Sequence, residues 1–494
     1  MAPAAHRGQH AAEAATASRH RSARLAELPR KSPAPPPPAA TVALVTPPPP
    51  QTRRQPRRRR RPFLPFRRPH DQSCLTSDVA RHQVVFVHAW PGTGKSTQIP
   101  RVLHATSRHG RVLCSQTYRL AAESTAAHVA SYMRAGEVRC CALSLLDHDE
   151  SSAAVTYTTH HALLRAFASD PLLTPYGTVV VDEADDGMLL TGAVLTCVRA
   201  AAARRPDLRV VIRTHGTLCF GEGAVRGFFP GAEHLRFDTN HGWGAWEYLA
   251  EPATDYVAAA VDTVRRVHAT EPPGDVLAFL PSYTDVEAAG RLLAAHALPD
   301  LVTRYIHDGL AIDLIGDVLR PTPDDQRKVV LATDVADSAV FVEGINYIVD
   351  SGYRCTDNAP PSLTKGPSPS SPPQMIRALK AAVLSWYHIR RRESRGKCFC
   401  LYTMEEWDEM IRGCSPLRSR TDDVDSLAAM VLVLKDLGIT SGDVENFGFV
   451  LPPRPETLQK ALAALVAAGM VGVEGEVTEK GRRMASEILD KCYF

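Results

Sequence analysis

Val84-Val85-Phe86-Val87-His88-Ala89-Trp90-Pro91-Gly92-Thr93-Gly94-Lys95-Ser96-Thr97 decides the architecture. The apolar run predicts a strand, and the strand empties into a glycine-rich turn. Backbone N–H groups from Gly92 to Ser96 can wrap a β-phosphate there, because glycine tolerates the φ values this needs. The helix expected after Lys95 aims its positive end at the same anion. Lys95 reaches the β- and γ-phosphates, and the Ser96 hydroxyl is a ligand for Mg²⁺. Gly92, Thr93, Gly94, Lys95, Ser96 and Thr97 are therefore the candidate nucleotide-binding residues.

Further along, Val179-Val180-Val181 runs into Asp182-Glu183-Ala184-Asp185. A carboxylate at a strand end suits metal work, so Asp182 is expected to hold Mg²⁺, largely through water. Glu183 is the expected general base on an attacking water. Alone, the tetrapeptide is also an ordinary acidic helix start. Behind a phosphate loop, the pair implies nucleoside triphosphate hydrolysis.

The 494 residues are enough for about three domains. An apolar content of 44% supports real cores. No apolar stretch reaches the ~18 residues a membrane span requires. The eleven cysteines form no Cys-x-x-Cys pair, so buried reduced thiols in an intracellular, non-secreted protein of nucleus or cytoplasm are expected. Charge is uneven. Residues 1–70 hold 15 Lys/Arg against two Glu, a net +13, while the remainder holds 42 against 52, a net −10. The first segment is rich in Pro and Ala with little to bury, so residues 1–72 are expected to be a disordered basic tail. Its run Arg57 to Arg61 suits nucleic acid or a nuclear address, and a solvated tail is the plain alternative.

Strand patterns at 84–87, 112–115, 154–157, 178–181 and 209–212 alternate with helical ones, which predicts a parallel sheet with helices on both faces. After Glu271-Pro272-Pro273-Gly274-Asp275 comes a second series at 276–280, 328–332, 347–349 and 398–401, without a phosphate loop. Residues 362–373 are rich in Pro and Ser and read as an exposed loop. Beyond 415 the pattern is helical, with a short strand signal at 474–477.

At this point the motifs match a family. Over about residues 73–490 the chain resembles the DEAH-box (DEAH/RHA) branch of superfamily 2 RNA helicases. Gly94-Lys95-Ser96-Thr97-Gln98-Ile99-Pro100 is similar to that family's phosphate loop. Gln116-Thr117-Tyr118-Arg119-Leu120-Ala121-Ala122 resembles motif Ia, and Thr159 to Arg165 resembles the segment leading into motif II. Arg327 to Ser338 resembles motif V, and Tyr347 to Gly352 resembles the family's next segment. Asn446-Phe447, Pro452-Pro453, Glu456-Thr457-Leu458 and Thr478 to Arg482 resemble its winged helix. The resemblance implies an α/β fold of two tandem RecA-like P-loop domains, parallel sheets with helices on both faces. They occupy residues 73–242 and 243–415, and a small winged-helix domain occupies 416–494. It implies ATP or another NTP with Mg²⁺, and single-stranded RNA as partner, with DNA the alternative. Arg119, Thr159 and Thr333 would meet nucleic-acid phosphates. Asp337 joins the nucleotide set, and His128 and Leu319 fall where the family sandwiches the base.

The departures matter too. Asp185 stands where the family has His. Motif III reads His215-Gly216-Thr217, which leaves Thr217 as the coupling residue. In the segment matching motif VI, Arg392 and Arg395 fall on the finger arginines that stabilise the transferred phosphoryl group. His388 replaces a glutamine that places water, and can donate one such bond in one tautomer. The loop 362–373 replaces the strand-separating hairpin, and the family's ratchet and OB-fold domains are not seen, so a protein partner standing in for them is expected. A compact, divergent form of this kind is compatible with a viral source. The reading is an RNA-stimulated NTPase that moves along or remodels RNA. Its rival is a degenerate helicase, a nucleotide-responsive RNA-binding scaffold with little turnover.

Overall fold

The computed structural model describes residues 69–89, 94–105, 110–143, 145, 153–186, 188–214, 222–237, 245–307, 310, 312–337, 342, 344–355, 375–377, 396–413, 423–440 and 444–490. The basic tail expected over 1–72 lies outside them up to residue 68, as does the arginine run within it.

The first half is a seven-stranded sheet. In chain order its elements are α1 (Pro69–Arg81), β1 (Val84–Ala89), α2 (Lys95–Ala105), β2 (Val112–Gln116), α3 (Arg119–Ala130), β3 (Val138–Cys141), β4 (Val155–Thr159), α4 (His160–Ser169), β5 (Thr178–Val181), α5 (Leu189–Arg204), β6 (Arg209–Thr214), α6 (Glu222–Phe228) and β7 (Glu233–Phe237). The strand order is β3-β4-β2-β5-β6-β1-β7, and each pairing is parallel. Central strands such as Thr178-Val179-Val180-Val181 are buried on both faces, as unbroken apolar runs should be. One face packs on α1, α2 and α3 through Leu75, Val79, Ile99, Leu103 and Val129. The other packs on α4 and α5 through Leu163, Phe167, Leu190 and Val194.

The second half repeats the plan. Its elements are β8 (Ala245–Tyr248), α7 (Tyr256–Thr270), β9 (Asp275–Phe279), α8 (Tyr283–Ala295), β10 (Leu301–Ile306), α9 (Ile312–Leu319), β11 (Arg327–Ala332), β12 (Ile345–Asp350), β13 (Tyr353–Cys355), β14 (Met375–Arg377), β15 (Lys397–Cys400) and α10 (Met404–Gly413). The parallel order is β10-β11-β9-β12-β15-β8. Helices start where side chains cap them. Asp255 accepts from the N–H groups of Val257 and Ala258 at 2.9 Å each, and Ser282 from Asp285 N at 3.2 Å. β13 and β14 pair antiparallel. The 362–373 stretch, read from the sequence as an exposed loop, lies outside the described residues.

The last elements are α11 (Val424–Asp436), α12 (Pro455–Ala467) and α13 (Glu479–Asp490). They share one core with α5, and Thr196 Oγ1 donates to the Gly448 carbonyl at 3.1 Å. The strand signal at 474–477 forms no strand. A single antiparallel bridge joins Val471 to Val477, and Gly475 turns between them at φ +90°. Among the described residues, no helix is long and apolar enough to cross a membrane.

Candidate nucleotide site

The site lies past the carboxyl ends of β1, β6 and β5, which are neighbours in that order, the usual place for a ligand in a parallel sheet. β1 leads into the phosphate loop, and α2 opens with Lys95. Gly94, before it, takes φ +86°, a left-handed conformation that favours glycine. Gly92 and Thr93 lie outside the described residues. Thr97 Oγ1 donates to the Gly94 carbonyl at 3.3 Å.

The sixth residue of α2 is Pro100, which has no N–H to give the carbonyl four residues back, that of Ser96. Tyr157 of β4 supplies the missing donor, its hydroxyl lying 2.8 Å from Ser96 O. A fully buried tyrosine from a nearby strand thus completes the first turn of the loop's helix.

Lys95 is buried, and its Nζ donates back to the Ala89 carbonyl, closing the loop on itself. Burial pulls its ammonium down to about 8. Arg213 pushes the same way, while Asp182, Asp185 and Glu183 oppose it. Ser96 Oγ donates to Asp182 Oδ2 at 3.1 Å, so the two expected metal ligands do meet. Glu183, next to Asp182, is 7% exposed and holds φ +50°. A non-glycine residue there typically costs about 1–3 kcal/mol, and such strain gathers at functional sites. Three bonds fix this turn: Glu183 N to Asp182 Oδ1 at 2.9 Å, Ala184 N to Arg213 O at 3.0 Å and Asp186 N to Glu183 O at 3.0 Å.

Sequence reasoning ended β6 at residue 212 and so missed Arg213. The arginine is 1% exposed on the strand between those carrying the loop and Asp182. Its Nη2 donates to Ser96 Oγ at 2.8 Å and pairs with Asp182 Oδ1. Among the described residues, its Nε and Nη1 are buried with no hydrogen-bond partner. The signal was available: Val210-Val211-Ile212-Arg213 places a charge inside a central strand, where an apolar residue belongs.

Arg213 bears on Mg²⁺. Oxygens 3.1 Å apart could form one edge of an octahedron with bonds of about 2.1 Å. Yet Ser96 Oγ already accepts from Arg213 Nη2, and the same nitrogen pairs with the other carboxylate oxygen of Asp182, Oδ1. A +1 and a +2 charge about 4 Å apart repel by about 8 kcal/mol at an effective dielectric near 20. Ser96 and Asp182 suit the ion by type, but with Arg213 in place the set does not fit it. Among the described residues, no group of three or more His, Cys, Asp or Glu converges to hold a metal.

The other expected residues fall elsewhere. Thr159 caps α4: its hydroxyl donates to the Ala142 carbonyl at 2.7 Å and accepts from Ala162 N at 3.2 Å. Arg119 opens α3 on the surface and pairs with Glu123 at 2.9 Å, while its neighbour Leu120 is buried in the core of the second sheet. Thr333 is buried just past β11, its N–H donating to the Ile306 carbonyl at 3.0 Å. His128 sits edge-on to Tyr132 in the last turn of α3, and Leu319 packs against the second sheet. Thr217, His388, Arg392 and Arg395 lie outside the described residues, as does the side chain of Asp337.

No family model matches the chain. In fold it is similar to the Escherichia coli DEAH/RHA helicase HrpB, whose crystal structure superposes with a TM-score of 0.69 at 21% identity. The match covers 84% of this chain and 52% of that one, so this chain spans about half that helicase's length. Two parallel α/β sheets in tandem and this likeness give the chain a DEAH/RHA helicase-like fold.

Proposed function

We propose that the chain binds a nucleoside triphosphate at the carboxyl edge of its first sheet, hydrolyses it, and uses the cycle to move along or remodel single-stranded RNA. One observation carries this reading: Lys95, Ser96, Asp182 and Glu183 converge from two separate segments, with Glu183 held in a strained turn. Loop N–H groups and Lys95 would bind the phosphates, and Glu183 would take a proton from the attacking water. Arg392 and Arg395 are assigned to the phosphoryl charge that develops in the transition state, and His388 to placing the water. Thr217 is assigned to coupling, His128, Leu319 and Asp337 to the nucleoside, and Arg119, Thr159 and Thr333 to RNA phosphates. The domain limits 73–242, 243–415 and 416–494, the last as a winged helix, belong to this reading, as does an activating protein partner. The fold likeness supports it at the level of architecture, and fold alone does not fix chemistry.

A second reading is a nucleotide-responsive RNA-binding protein with little turnover. The guanidinium seated on Ser96 and Asp182 favours it. Single-turnover ATP hydrolysis by the full chain, with and without single-stranded RNA, separates the two. The first reading expects hydrolysis that RNA accelerates. Bound ATP that stays intact in both conditions supports the second.

A further inference from the structure

We infer that Arg213 is a resident cation of the nucleotide site, and that the site takes the uncomplexed triphosphate anion rather than its magnesium complex. The inference rests on the nucleotide reading above and goes beyond it by naming the form of the ligand.

Three observations point there. First, Arg213 Nη2 engages the two side chains that would otherwise share a divalent ion, Ser96 and Asp182. Second, the arginine has little room to leave. It is 1% exposed, its residue is paired with Val87 of β1, and its carbonyl accepts from Ala184 N at 3.0 Å. A guanidinium is not neutralised in proteins, so the charge stays as well. Third, the side chain has donors to spare: among the described residues Nε and Nη1 are buried and unpartnered. A buried charged donor left unbonded is costly, and phosphate oxygens match a guanidinium fork. Asp275, Arg327 and Lys328, also buried charges, find partners within the chain.

Lys95 lies within electrostatic reach of Arg213 and of Asp182, Asp185 and Glu183. The two cations do not outweigh the three carboxylates, so an anion is received by the unpartnered donors of Arg213 rather than by a net positive charge. The sequence marks the same point, since the arginine stands two residues before His215, where the motif III segment itself is altered.

The test is ATP binding to the full chain by isothermal titration, once in MgCl₂ and once in excess EDTA. The wild type is expected to bind ATP with affinities within about threefold of each other. Arg213→Leu is expected to bind at least about tenfold more tightly with Mg²⁺ than with EDTA. Electron paramagnetic resonance with Mn²⁺ gives a readout independent of turnover. The wild-type ATP complex should retain no protein-bound Mn²⁺ signal, and the Arg213→Leu complex should show one. If Arg213→Leu does not fold, the wild-type pair of titrations and its Mn²⁺ spectrum still decide. A wild-type affinity that falls about tenfold or more in EDTA, or Mn²⁺ bound in the wild-type complex, overturns the inference and leaves the nucleotide reading standing. ATP that binds in neither buffer overturns both.

Discussion

Both sheets bury charge, but mostly at opposite edges and in different states. In the second sheet Asp275, Arg327 and Lys328 sit where strands begin, and Asp350, at the end of β12, is satisfied by Tyr402 Oη and Gly352 N. Arg327 donates to the carbonyls of Val267, Glu271 and Pro272. Lys328 Nζ donates to Val318 O at 2.9 Å and Arg320 O at 2.8 Å, and Asp275 accepts from Lys328 N and Thr322 Oγ1. These side chains tie loops to the strand ends. In the first sheet the charges sit where strands finish, and some polar atoms there are unpartnered: Arg213 Nε and Nη1, and His160 Nε2 at the head of α4. Satisfied buried charges hold a fold together, whereas unsatisfied ones at a sheet's carboxyl edge mark where a ligand is received.

The largest effect should separate chemistry from binding. Glu183→Gln should lower single-turnover hydrolysis by about 10²–10⁴ while ATP affinity holds, because only the base is lost. Wild-type rates in that variant would move the base elsewhere. Next comes the second sheet. Lys328→Met strips a cation from two carbonyls and from Asp275, which should cost about 3 kcal/mol of unfolding free energy in urea titration. A variant as stable as wild type would mean that the buried amine is no staple. Tyr157→Phe should cost about 1–2 kcal/mol by the same measurement, since the Ser96 carbonyl loses the donor that Pro100 cannot provide.

How much of this the sequence revealed depends on where each strand lies. The nine central strands read as apolar runs because both faces are covered. The sequence reading missed the separate pair β13 and β14, and in the two large sheets it missed β3, β7, β8 and β10, which are the four edge strands. Their residues are largely half-buried, and Arg139, Glu233, Arg236, Glu247 and Arg304 interrupt them, so no apolar run survives to be recognised. In the site, Lys95, Ser96, Asp182 and Glu183 were legible because each sits in a local motif. Tyr157 was not, and Arg213 showed only as a charge within an apolar run; their roles depend on partners distant in the chain, Ser96 above all, which only the fold brings to them.

The smallest effects should appear with pH. Burial holds His88 and His160 near 4, below the ~6.5 of an unfolded histidine. The neutral rings favour the folded state, so their contribution is complete above pH ~6.5 and is lost as pH falls towards ~4. Urea midpoints should decline across that window, and flat midpoints would mean that these rings are protonated in place. At the other end, Lys95 gives up its proton near 8 in the free site. ATP binding above that pH must take the proton back, so affinity should fall, by at most about tenfold per pH unit. The second sheet, with its charges already satisfied, should add nothing to this dependence.

The contrast between the sheets is tested most directly by crossing two variants with two readouts. ATP affinity and melting temperature are measured for the wild type, Lys95→Ala and Lys328→Met. The account predicts that Lys95→Ala loses ATP binding at a nearly wild-type melting temperature. It predicts that Lys328→Met melts several degrees lower while keeping ATP affinity at temperatures where it is folded. The reverse pattern, with Lys95→Ala unfolding early or Lys328→Met losing ATP while folded, would contradict the division of the molecule into a receiving edge and a fastening one.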